Sequence, residues 1–219
     1  MLILRGKHCF YFRFMFIFVR MSKKYLFLLV VFLEGGALLS YEIMAAKLYT
    51  PHVGATLYVW TSILTLTLIS LAIAYRVSQF WSEKKIWNVL PISLLIAGLY
   101  LFIVLLTKET VLPLTYTMGI KAASIFTGIF ILTIPVFCMG LTSPLVTALL
   151  TSKEKNNVNA GKNAGLVYGL GTLSGIIFTL ISLFVLLPAW GVSASIAVLA
   201  CFLLLAAGIS FWLLKSTHD

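Results

Sequence analysis

Residues 25–46 read YLFLLVVFLEGGALLSYEIMAA, an apolar run whose only charges are Glu34 and Glu42. About 20 apolar residues, each rising roughly 1.5 Å along a helix, cross the hydrocarbon core of a bilayer. Five more runs of this kind follow, at about Leu57 to Tyr75, Trp87 to Leu106, Ala122 to Gly140, Ala164 to Leu187 and Val192 to Leu214. None alternates apolar and polar residues with the period of two that a barrel strand needs. Helices are then the remaining way to satisfy backbone polar groups in lipid. The pattern reads as an all-α, polytopic transmembrane helical bundle of about six spans. The fourth run continues through Pro144, and Pro135 and Pro144 should kink it or make it re-entrant, because each removes a helix hydrogen bond.

Composition agrees. Hydrophobic residues make up 61% of the 219-residue chain and charged residues 10%, and the mean hydropathy of +1.08 is far above that of a soluble domain. The net charge of +10 does not indicate nucleic acid. The basic residues flank apolar runs and are not interleaved with solvent-facing aromatics as base stacking requires. Of the 16 basic residues, only Lys47, Lys108 and Lys121 fall in the loops opposite the amino terminus. By the positive-inside rule both termini are cytoplasmic, which requires an even number of spans. Cys9, Cys138 and Cys201 are scattered, so neither a disulfide framework nor a metal site is indicated, and no cofactor is expected.

Residues 1–20 form a basic extension whose apolar patch is interrupted by Arg13. It is too short to span and lacks a cleavage site. Met21-Ser-Lys-Lys resembles a start of its own, so the extension reads as an interfacial helix or an over-extended reading frame. Residues 21–219 form a single membrane domain.

Glu34 and Glu42 are the most costly residues, since an ionisable group inside a membrane costs a few kcal/mol and normally faces the bundle interior or water. Their separation puts them about 80° and roughly 12 Å apart on adjoining helix faces, able to line one groove but not to share one metal. Glu42 reads either as an interfacial carboxylate capped by Lys47 or a tyrosine, or as a ligand beside Tyr41. Glu34 is harder to explain by snorkelling. Tyr58 and Trp60 read either as an interfacial aromatic belt or as rings that stabilise a cation. His8, His52 and His218 lie far apart in loops or tails, and no catalytic constellation exists. His52 reads as interfacial rather than as a proton carrier.

Gly161, Gly165, Gly169, Gly171 and Gly175 crowd the start of the fifth run. A dinucleotide loop would need a preceding strand in a βαβ unit, which is missing. Recurrence every four residues instead suggests a narrow ridge for close helix packing, so leucine at Gly165 and Gly169 should disturb folding or association.

Two blocks carry a family resemblance. The first runs from Tyr41-Glu42 through Lys47-Leu48, Pro51 and Gly54 to Leu57-Tyr58-Val59-Trp60. The second runs from Met139-Gly140 and Pro144 through Gly161-Lys162, Gly165, Tyr168 and Thr172 to Phe184-Val-Leu-Leu-Pro188-Ala-Trp-Gly191. They resemble the membrane part of polytopic spermidine-synthase-like proteins, in which a helical bundle precedes an aminopropyltransferase-like domain. Lys47 stands where that family has arginine, Gly171 where it has asparagine, and Glu34, Phe178 and Leu183 where small residues are usual. The resemblance covers membrane segments only, so it implies no enzymatic activity.

The resulting expectation is a non-enzymatic protein of a bacterial cytoplasmic (inner) membrane. It would bind or move a small cationic solute such as a polyamine, with Glu34, Tyr41 and Glu42 as ligands. Six spans are half of a twelve-span transporter plan, which suggests a homodimer. The alternative is a scaffold or anchor for a separate enzyme or a membrane complex, docking through the Lys153 to Lys162 loop and the basic amino terminus.

Overall fold

The computed structural model describes residues 23–81, 83–152 and 160–218. The extension at 1–20 and most of the 153–162 loop lie outside these. Among the described residues every regular element is helical: α1 (Lys23–Val53), α2 (Leu57–Ser78), α3 (Glu83–Val111), a 3-10 turn (Leu112–Thr117), α4 (Ile120–Gly128), α5 (Ile134–Gly140), α6 (Thr142–Ser152), α7 (Ala160–Ile181) and α8 (Leu187–His218). Five helical segments are long and apolar enough to cross a membrane.

The fifth, Ala160–Lys215, has 56 residues. As one straight helix it would measure about 84 Å, nearly three times a hydrocarbon core of roughly 30 Å. Gly191 interrupts it with φ 75 and ψ 177, a conformation essentially reserved for glycine. α7 precedes this break and packs along α1, whereas α8, which contains the break near its start, packs along α3 and α1.

Of the three prolines inside the later segments, Pro135 and Pro188 are each preceded by a turn of π-helix, and Pro144 sits in the first turn of α6. Ile129–Thr133 ends two residues before Pro135, and Ser182–Leu186 ends two residues before Pro188. A proline supplies no N–H and its ring crowds the preceding turn, which a locally widened helix relieves. The expected irregularity at Pro135 is therefore a π turn, followed by a single-residue interruption at Leu141 before α6.

The burial pattern is that of a helix bundle in lipid. α2 turns Ser62, Thr67, Ser70 and Ser78 inward, while Leu64, Leu68, Ile69 and Ile73 lie outside, each about half exposed or more. A water-soluble amphipathic helix has the opposite arrangement. α1 occupies the centre, packed against α2, α6, α7 and α8, with Phe27, Val30, Tyr41 and Met44 fully enclosed.

Glycine permits the closest approach in this bundle. A methyl group at Gly35 would lie 2.6 Å from the Gly171 carbonyl oxygen, and one at Gly36 would lie 2.6 Å from the Phe178 ring. A methyl at Gly175 would strike the Leu39 side chain. By contrast, nothing lies within 4 Å of a methyl at Gly161, Gly165 or Gly169. The four-residue glycine pattern thus divides: Gly171 and Gly175 pack on α1, and the other three face outward from this chain.

Gly35→Ala is expected to destabilise the bundle by at least about 1–3 kcal/mol, because its methyl meets rigid backbone. Gly165→Ala should leave the melting temperature in mild detergent unchanged or slightly higher, as a thermal-shift assay would show.

Candidate functional site

Glu34 lies roughly 16 Å along α1 from Lys23, well inside the bundle. It is only 3% exposed, and among the described residues it makes no hydrogen bond or ion pair. Beside it is a cavity of about 190 Å³, lined also by Tyr75 of α2, Ser143 of α6, and Tyr168 and Thr172 of α7. The Tyr75 and Tyr168 rings meet edge to face, with centroids 6.4 Å apart and planes at 88°. Thr172 spends its hydroxyl on the Tyr168 carbonyl, 2.9 Å away.

The cavity follows from the glycine contact. Because Gly35 and Gly171 let the two backbones touch, α7 brings Tyr168 and Thr172 alongside the carboxyl. Among the described residues no lysine or arginine lines the space. An ionised carboxylate here requires a cation from elsewhere.

The other expected ligands are dispersed. Tyr41 is fully buried and donates its hydroxyl to the Ile131 carbonyl oxygen at 2.9 Å. Tyr100 on α3 donates to the neighbouring Phe130 carbonyl at 2.8 Å. In a regular α-helix the residue 135 N–H would bond to Ile131, and in a π-helix to Phe130. Pro135 can supply neither bond, and the two tyrosines donate in its place. Tyr41 therefore serves a carbonyl left open by proline, and it does not line the Glu34 cavity.

Glu42 is half-buried on the adjoining face of α1, also outside that cavity. Tyr58 lines a separate, largely apolar space of about 340 Å³ between α2 and α4. Its ring already faces a cation of this chain, with Lys121 Nζ 5.5 Å from the centroid. Trp60 borders a third space of about 110 Å³ together with Lys47 and Thr50. His52 stacks on Tyr116 and shares a 2.9 Å hydrogen bond with its hydroxyl, tying the end of α1 to the 3-10 turn.

Glu34 is thus the one expected ligand in its cavity, and Tyr75, Ser143 and Tyr168 are partners that sequence reasoning missed as site residues. No local spacing connects them, since they come from three different helices. Comparisons with protein-family models, curated proteins and solved structures find no match to this chain.

Tyr41→Phe and Tyr100→Phe should each lower stability by about 0.6–1.7 kcal/mol, the range of single hydrogen bonds inside membrane proteins. The double variant should lose more than either single variant in a denaturant titration in detergent.

Proposed function

We propose that this chain is a non-enzymatic integral membrane protein that binds and moves a small organic cation at the Glu34 cavity, with polyamines as the solute class. The carrying observation is a buried carboxylate that has no cationic partner among the described residues and opens on a space walled by two tyrosine rings. Such a site compensates an ammonium by charge and by ring faces. The resemblance of two sequence blocks to spermidine-synthase-like membrane segments supports the choice of polyamine. A bacterial cytoplasmic membrane is the proposed location.

In this reading the chain crosses six times, with Gly191 turning the final long segment back, and both termini are cytoplasmic. Lys23, Lys24, Arg76, Lys85, Lys162 and Lys215 then share the cytoplasmic end, as the positive-inside rule requires. The cavity lies in that half of the bundle. A topology reporter fused after Asp219 should be active only in the cytoplasm, and activity outside the cell would refute the arrangement.

A scaffold reading draws on one observation of its own. Gly161, Gly165 and Gly169 leave a narrow outward strip on α7 that would admit a close-packed helix of a second copy or a partner subunit. Gly165→Leu with Gly169→Leu should then change the assembly size on gel filtration while the melting temperature of the fold persists.

Purified protein should bind radiolabelled spermidine, and Glu34→Gln should abolish that binding with the protein still folded. Retention of wild-type affinity by Glu34→Gln would end the cation reading at this cavity.

A further inference from the structure

Lys47, Lys108 and Lys121 share the end of the bundle away from the other basic residues, where the positive-inside rule disfavours them. A cation kept there calls for a local partner. Lys108 has two, the Glu109 carboxylate at 3.0 Å and the Ser193 hydroxyl at 2.9 Å. Lys121, in the first turn of α4, has no carboxylate partner among the described residues. Its ammonium stands 5.5 Å from the centre of the Tyr58 ring on α2 and is otherwise exposed. No side chain caps α4 at Gly119, so the first N–H groups of that helix add partial positive charge beside the lysine. An anion is the missing complement.

A groove runs inward from this charge. Tyr58, Thr61, Thr65 and Leu66 of α2 face Lys121 and Ile125 of α4 across a largely apolar space of about 340 Å³. Tyr58 and Ile125 are half exposed, so the groove opens on the outside of the bundle. From Tyr58 to Leu66 the helix rises about 12 Å, which keeps the groove within one leaflet of a hydrocarbon core roughly 30 Å thick. Walls left facing a void would forfeit their dispersion contacts, so something apolar fills it. Spread over that length, the volume leaves a section of about 28 Å². A helix about 10 Å across needs nearly three times as much. The groove is too narrow for a helix of a second copy and wide enough for one hydrocarbon chain.

We propose that this groove binds an anionic phospholipid, with one acyl chain between α2 and α4 and the headgroup phosphate against Lys121. The Tyr58 ring holds the ammonium over the mouth of the groove, so the phosphate meets a positioned charge. A zwitterionic lipid offers the same phosphate but brings its own ammonium beside Lys121, which weakens the pairing. The groove shares no lining residue with the Glu34 cavity, and neither site depends on the other.

The full chain, purified in mild detergent, is incubated with equal amounts of phosphatidylglycerol and phosphatidylcholine of one chain length and weighed intact by native mass spectrometry. Wild type should retain phosphatidylglycerol in preference. Lys121→Gln should lower that retention about fivefold, the worth of one basic residue at an anionic membrane surface, whereas Lys215→Gln at the opposite end should leave it unchanged. Thr65→Phe should fill the groove and lower retention of both lipids with the melting temperature preserved. Ile125→Trp fills it from α4 should Thr65→Phe fail to fold. Equal retention of the two lipids by wild type would overturn the site, as would retention that Lys121→Gln leaves intact or that Lys215→Gln lowers equally. Wild-type retention by a folded groove-filling variant would also overturn it, and a lipid-free wild type running as a dimer would place a second copy there instead.

Discussion

The close contact of two backbones at Gly35 and Gly171 governs this bundle. In lipid, apolar surface gives helices little reason to associate, so packing and polar contacts must hold them together. A side chain at Gly35 would collide with the α7 main chain. Its absence lets α7 settle against α1 and encloses Glu34 between Tyr75 and Tyr168. A single small residue thereby sets both the helix pairing and the surroundings of the most costly side chain. The neighbouring contact of Gly36 with Phe178 extends the same close fit along α1.

Proline has a comparable influence on the other side of α1. Pro135 cannot complete the helix hydrogen bonds before it, and Tyr41 and Tyr100 occupy the adjacent carbonyls from two different helices. The irregular segment is thus held from outside by hydroxyl groups, where water would serve in a soluble protein. Polar groups elsewhere on α2 also turn inward. Small polar side chains are thus turned into the bundle while large apolar ones on the same helix face out, as expected when the surrounding medium is hydrocarbon. That inversion allows Glu34, Tyr41, Tyr49 and several hydroxyls to be buried in one interior.

Much of the architecture was legible beforehand. The apolar runs located the helices to within several residues, because length and hydropathy are properties of consecutive residues. Pro135 announced its irregularity for the same local reason. The site was less legible. Glu34 stood out through its cost alone, but Tyr75, Ser143 and Tyr168 arrive from separate helices whose rotation no short spacing encodes. Tyr41 and Glu34 are seven residues apart on nearly the same face, yet one meets a carbonyl freed by Pro135 and the other meets a cavity. Identical four-residue spacing among the glycines concealed a division as well, with Gly171 and Gly175 against α1 and Gly161, Gly165 and Gly169 facing outward.

By itself, the amino-acid order determined that this chain is helical and apolar enough for a membrane, and where its costly carboxylates stand, since helix length, hydropathy and charge are read along one dimension. Only the tertiary structure decided which neighbours surround Glu34, which tyrosine hydroxyls are already occupied, and which remain unpaired. Those outcomes depend on how each helix is rotated and how near its partners come, quantities set by contacts between residues far apart in the chain.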